Sequence, residues 1–518
     1  MHQAQIEKLQ FFRKSIYSCF KKRADATFNL LDALSSSGHE CKSVVELSES
    51  PAFLRQYSSI TDAIGDGLPH ASLDKTASLV YHAVNSGCVR TTFFLDCTGN
   101  PRPWAKKLDG RCIVHAPNPA PGNKPICVGR QYSVLAIAPM SQEARLKHWL
   151  LPIKVDLVDI EEKGHEVGMK QLVKQIETLS LKDELSISVG DSLYATEGCR
   201  QVVAEQPNIV HIFRLKSQRA IYKSPSLEEL ARTGAGRKKQ YGRKMLLSDK
   251  KTHALPDKES SFMIEGKKQV LTVKLTQWNS LLLRGSRDFP SHRHPINVLR
   301  IIICDAQGEP VFKRPLWLGI MGKRRHEITM EEIYETYSQR YDIEHFFSFG
   351  IQNLLLDSYQ TPDAEHEKLW WQFAPLAYVQ LYLAAQLGQL TPKPWERYLK
   401  AYQNENPQDN VSFKTPAQTQ RTFSKLLNEI GTPARDCIPR GKPVGRKAGE
   451  QPIERSNHAI YFKGNKETNS IKNEINTSQE NQKNQANDDS IEKLLNKARS
   501  ELKKKGFSPA DFAEKLLL

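Results

Sequence analysis

Three carboxylates stand in this sequence where an acid needs a reason. Asp96 lies near the end of the apolar, β-rich run Thr91-Thr-Phe-Phe-Leu-Asp-Cys-Thr98, and Asp191 follows the run 185–189 in Gly190-Asp-Ser-Leu-Tyr-Ala195. Glu344 lies in a helical stretch further on. Two acids sharing one partly buried site cannot both stay ionised without a cation. A pair of Mg²⁺ ions meets that need and suits displacement at phosphorus. The alternative is that Asp96 and Asp191 are unrelated strand-end residues, and position alone leaves both readings open.

The helical stretch 331–350 adds a face. At about 100° per residue, Arg340 falls about 40° from Glu344, and Tyr337 and Ile351 each fall about 20° away. Asp342 and Glu335, each more than about 150° away by the same count, face the other side. One face thus presents an acid with an Arg and a Tyr beside it. An acid can complete a metal site, Arg can grip a phosphate with two parallel bonds, and Tyr can contact sugar or phosphate. A surface i,i+4 pair is the plainer reading of the same spacing.

The elements that must position these residues follow from periodicity. Residues 1–90 read as helical, with Ile6, Leu9, Phe12, Ile16 and Phe20 on one face and Lys and Arg between them. That suits either a DNA-binding domain or a packing module. Strands are expected at 91–98, 132–138, 149–158, 185–189 and 209–213, with helices at 163–179 and 195–205. If the first of these helices returns the chain beside the first strand, Asp96 and Asp191 become neighbours. Residues 216–330 break the rhythm, with strand-like runs at 269–276, 296–304 and 311–318. They begin with a segment holding the stretch Arg232 to Lys251, read as a loop, where eight Lys or Arg face one acid. Arg237, Lys238, Lys239, Arg243 and Lys244 in it are candidate phosphate contacts. Thr329-Met-Glu-Glu332, flanked by Ile328 and Ile333, predicts a capped helix running to about Gly350, with more helix at 364–390. The chain then divides into a basic region at 396–462, an Asn/Gln-rich disordered linker at 463–488 and a short helical tail at 489–518.

At the three acids and this helix face the sequence resembles the cut-and-paste DDE transposases of bacterial insertion sequences, in the subgroup with a Tyr-x2-Arg-x3-Glu-x6-Lys motif. Tyr337, Arg340 and Glu344 carry that motif, Asp96-Cys-Thr98 resembles the first acid's setting, and Gly190-Asp191 the second's. The resemblance spans about 90–390. It implies an α/β, ribonuclease-H-like catalytic core in two parts, 91–215 and 331–395, interrupted by a β-rich insertion at 216–330. A helical N-terminal domain would precede it and a helical C-terminal region would follow. It implies that Asp96, Asp191 and Glu344 hold two Mg²⁺ ions, replaceable by Mn²⁺, for end cleavage and for strand transfer into target DNA. Tyr337 and Arg340 would position the end DNA, and two copies would act as a dimer on paired terminal repeats. In relatives a Trp of the insertion stacks on a flipped base. Trp278 and Trp317 are candidates, although their apolar strand patterns assign them to a core. The motif's last position, Lys in the family, is Ile351 here. A catalytically impaired, DNA-binding relic and a structure-specific nuclease on the same fold are the alternatives.

Composition agrees on the partner. The 518 residues hold 74 Lys and Arg against 58 Asp and Glu, a formal charge of +16 that favours a polyanion. The charged N-terminus lacks the apolar core of a secretory signal, and the apolar stretch 374–390 is broken by Gln380, Gln386 and Gln389. A cytoplasmic, nucleoid-associated protein is expected. Nine Cys with no CxxC spacing argue against both a disulfide framework and a zinc knuckle. His292-Arg-His294, with only Asp288 nearby, is a weak metal candidate.

Overall fold

The computed structural model describes residues 2–37, 41–85 (for Asn85 the backbone alone), 90–115, 124–231, 239–266, 269–388, 413–438, 445, 447, 449, 451 and 454–462. The expected linker and tail, 463–518, lie outside the described residues, as do Arg237 and Lys238.

Four helices come first: α1 (His2–Tyr17), α2 (Ala24–Ser37), α3 (Ser58–Gly67) and α4 (His70–Asn85). The apolar face read from the sequence points inward, with Leu9, Phe12, Ile16 and Phe20 all buried. Buried Arg13 pairs with Asp32 of α2 and donates to Gln380 Oε1 at 2.8 Å, so the front helices lock onto a helix from the far end of the chain.

The sheet begins with β1 (Thr91–Pro101), β2 (Cys112–His115) and β3 (Ile126–Ile137), then the short α5 (Gln142–Leu146) and β4 (Leu151–Val158). Next come α6 (Gly164–Thr178), β5 (Ser186–Gly190), α7 (Glu197–Glu205) and β6 (Ile209–Arg214). β1 pairs antiparallel with β3, β3 with β4, and β1 pairs parallel with β5 and β5 with β6. The return of α6 does place β5 beside β1. This mixed α/β architecture is consistent with the ribonuclease-H-like expectation.

Residues 216–330 supply β7 (Ala220–Tyr222), α8 (Leu227–Ala231), β8 (Lys244–Leu246), β9 (Lys258–Glu265), β10 (Val270–Leu281), β11 (Ile296–Cys304) and β12 (Leu316–Met321). β12 pairs antiparallel with β6, so the sheet runs on as β2-β3-β1-β5-β6-β12-β11-β10-β9, with β4 on β3. Three expectations change here. The described part of the basic stretch is not all loop, since Lys244–Leu246 pairs with β7. The last strand starts at Leu316 rather than 311, because Val311 and Phe312 face solvent. β9 was not foreseen: it is an edge strand that buries no residue fully, so its apolar signal is weak. Trp278 and Trp317 are core residues, each 2% exposed, with rings 5.6 Å apart and Arg300 across both.

The chain ends its described core with α9 (Met330–Gln339), α10 (Asp342–Asn353), α11 (Ala364–Ala384) and α12 (Pro416–Ile430). α11 is the hub: it packs on β4 and touches α1, α2, α3 and α12. No helix among the described residues is long and apolar enough to cross a membrane.

Candidate active site

The register of two parallel strands sets the first two acids level. Phe94 of β1 is opposite Val189 of β5. Asp96 and Asp191 each follow two residues later, so they stand level, Asp96 still in β1 opposite Val134 of β3 and Asp191 just past the end of β5. Gly190 lets the chain turn there: a Cβ would lie 2.5 Å from the Tyr194 ring, which is buried beneath the turn. Asp191 then caps the 3-10 turn Ser192–Ala195 by accepting from the Leu193 N–H at 2.8 Å.

The third acid arrives on a helix that is broken. The sequence predicts one helix to Gly350, whereas α9 and α10 are separated at Arg340–Tyr341. Here Arg340, Ile343 and Glu344 donate their N–H groups to the carbonyls of Tyr337, Arg340 and Tyr341, each three residues back. The turn is tightened in the 3-10 manner without leaving helical dihedrals. Thr329 caps α9 as expected, accepting from the Glu332 N–H at 3.1 Å. The Glu332 carboxylate is turned to Arg90 at 3.0 Å.

Across this joint Arg340 ties the acids together. Its Nη1 lies 3.3 Å from Asp96 Oδ2 and its Nη2 lies 3.3 Å from Glu344 Oε1. Asp96 Oδ1 also accepts from the Cys97 N–H at 2.8 Å. Burial pushes the Asp96 carboxyl up to about 7, Arg340 works against that, and Asp191 and Glu344 add to it. Burial also opposes the charge of Arg340, but Asp96, Tyr337, Asp191 and Glu344 outweigh it and hold the guanidinium more firmly protonated than usual. Two carboxylates therefore pair with one guanidinium, and Asp191 lies near enough to act on both Asp96 and Arg340 electrostatically. That surplus of negative charge, with oxygen donors only, fits hard divalent cations.

Burial first and Asp96 second push the Cys97 thiol up to about 12, which disfavours the thiolate. Tyr337 is 9% exposed, packs beside Arg340 with the guanidinium 6.0 Å from its ring centroid, and has its phenol raised mainly by burial.

The remaining expected residues lie elsewhere. Lys239 is half exposed and pairs with Glu229, the Arg243 carbonyl accepts from the Lys223 N–H at 3.0 Å, and Lys244 begins β8 with its side chain exposed. None of them contacts the acids. His294 stacks on Phe289 at 4.8 Å and His292 meets Tyr241 edge-on at 6.1 Å, so this pair packs against rings. Sequence reading missed one cluster: His148, Asp342 and His345 gather behind α10, with His148 194 residues away from Asp342. The helical count did place Asp342 on the face opposite Glu344, but nothing in the sequence points His148 to it.

Comparison with known proteins adds one finding. No curated protein matches the chain. Residues 130–379 match the family described as Transposase DDE domain, a span that holds Asp191, Tyr337, Arg340 and Glu344 and begins after Asp96, and this match supports a transposase function.

Proposed function

We propose that the chain is a metal-dependent transposase that cuts DNA at the terminal repeats of a bacterial insertion sequence and joins the ends to target DNA. The observation that carries this is the meeting of Asp96, Asp191 and Glu344 from β1, the end of β5 and α10 around one guanidinium. Asp96, Asp191 and Glu344 would hold two Mg²⁺ or Mn²⁺ ions, which supply activation of water or a DNA 3′-hydroxyl and stabilisation of the leaving oxygen.

The chain's own residues do the rest. The β1–β5 register sets Asp96 in the sheet level with Asp191 in the turn after β5, and α10 brings Glu344 to the guanidinium that Asp96 shares. Arg340 offsets part of the acids' charge in the metal-free protein and would turn its fork to a phosphate once cations take over that role. Tyr337 holds that guanidinium beside the acids. Arg237, Lys238, Lys239, Arg243 and Lys244 offer cations to the DNA backbone, and the net charge draws the polyanion in. A homodimer would bring two DNA ends together.

A second reading rests on Ile351. It stands half-buried on α10 where the family motif has Lys, which takes one cation from the DNA-facing side and favours a DNA-binding protein of impaired activity. One experiment separates the two. Purified protein is incubated with its element's end DNA and Mg²⁺ or Mn²⁺, beside Asp191→Ala. Cleavage by the wild type alone, with binding equal in both, supports the transposase. Binding without cleavage by either supports the impaired form, and Ile351→Lys is then expected to restore cutting.

A further inference from the structure

Away from the carboxylate site, α10 carries a different donor set. Asp342 and His345 are three residues apart on one helix, so they share a face, and Asp342 is about 160° from Glu344 around the axis. His148, between α5 and β4, completes the group. Its backbone is held at φ +60°, a left-handed conformation that costs a non-glycine residue energy and is retained where surrounding structure enforces it. That conformation sets His148 Nδ1 2.7 Å from Asp342 Oδ1 and stacks its ring on His345 with centroids 4.5 Å apart. The donor atoms of all three residues lie within 4.8 Å of one another.

We propose that His148, Asp342 and His345 form a second metal site, for a divalent transition ion of the zinc class, which fastens α10 to the chain entering β4. Two imidazoles and one carboxylate are the donors such an ion prefers, whereas Mg²⁺ takes oxygen. Bonds of about 2.0–2.1 Å at a tetrahedral centre separate donor atoms by about 3.3 Å. The His148–Asp342 pair must open slightly from 2.7 Å, and the other donor pairs, all within 4.8 Å, must settle to that spacing. Both imidazoles are solvent-exposed and free to make that adjustment, while Asp342 is buried and fixed. Tyr341 meets His345 edge-on at 5.8 Å. The site stands on its own donors and does not depend on the carboxylate site being catalytic.

The test is calorimetric titration of Zn²⁺ into the full chain with Mg²⁺ in excess, repeated with Co²⁺ to read visible ligand-field absorption. One equivalent is expected to bind to the wild type and equally to Asp191→Asn. His345→Ala and His148→Ala are expected to weaken it at least about tenfold and to remove the Co²⁺ band. Both residues are exposed, so unchanged circular dichroism should accompany the loss. Equal Zn²⁺ affinity in wild type and His345→Ala overturns the proposal. So does loss in Asp191→Asn with retention in His345→Ala, which places the ion at the other acids.

Discussion

The guanidinium of Arg340 lies 3.3 Å from Oδ2 of Asp96 although 244 residues separate them. The same side chain reaches Glu344, so it serves as the counter-ion of an acid cluster that would otherwise repel itself. A divalent cation entering the cluster must compete with it. Arg340→Gln is therefore expected to lower the stability of the metal-free protein by about 1–3 kcal/mol, the range for stranding a partly buried charged partner. The same variant should gain more stability from added Ca²⁺ or Mg²⁺ than the wild type does. Thermal unfolding with and without the ion reads both effects. An equal response to the ion in the two proteins would remove Arg340 from the counter-ion role.

Gly190 is the hinge on which Asp191 hangs. A methyl group there meets Tyr194 Cγ at 2.5 Å, and Tyr194 has little room, with its hydroxyl 3.7 Å from Cys97 Sγ. Gly190→Ala should cost about 1–3 kcal/mol through overpacking. It should also shift the turn that carries Asp191, so end cleavage should fall well beyond any change in DNA binding. Urea unfolding, a gel-shift assay and a cleavage time course, run on one preparation, separate the three quantities.

How much of this was legible beforehand divides along physical lines. The helical period of 163–179 foretold a crossover, which makes β5 run parallel to β4 and so to β1; which strand β5 would sit beside, and in what register, depends on the tertiary fold, and that register is what levels Asp96 with Asp191. The break at Arg340–Tyr341 was not foretold, because both residues keep helical dihedrals and the tightening is a matter of three backbone bonds. β9 escaped because its inward face, Ser260, Phe262 and Ile264, is only half-buried and the exposed Met263 between them blurs the alternation. His148 and Glu367 escaped for a third reason. Their partners are brought to them by the tertiary fold, and a single sequence holds no trace of such pairings.

Glu367 of α11 shows what such a pairing is worth. It is 1% exposed, with Arg102 Nε at 3.1 Å, Arg130 Nη1 at 3.3 Å and the Tyr132 hydroxyl donating at 2.7 Å. Two guanidinia from the β1–β3 end of the sheet thus depend on one carboxylate. Glu367→Ala should leave both buried charges without it and cost about 3–5 kcal/mol. Chemical denaturation measures the loss. A change below about 1 kcal/mol, the value of an exposed pair, would mean that water reaches the site.

His211 of β6 links acid sensitivity to the turn that carries Asp191. It is fully buried, with Nδ1 2.8 Å from Ser188 Oγ and Nε2 3.2 Å from the Tyr194 carbonyl. A carbonyl only accepts, so Nε2 carries the proton and the ring is the neutral tautomer. Burial lowers its pKa from 6.5 to about 4, against the pull of both hydrogen bonds. Above pH 6.5 the ring is neutral in both folded and unfolded chains and has no effect on the pH dependence. As pH falls from 6.5 to 4 the unfolded chain takes up a proton that the folded chain refuses, so stability is lost over that window. The loss approaches about 3 kcal/mol from this one ring. His211→Gln should be less stable than the wild type at pH 7, because it gives up fitted hydrogen bonds, yet it should lose about 3 kcal/mol less on going to pH 4. Urea unfolding at a series of pH values compares the two slopes. Parallel curves would place the acid sensitivity on other groups.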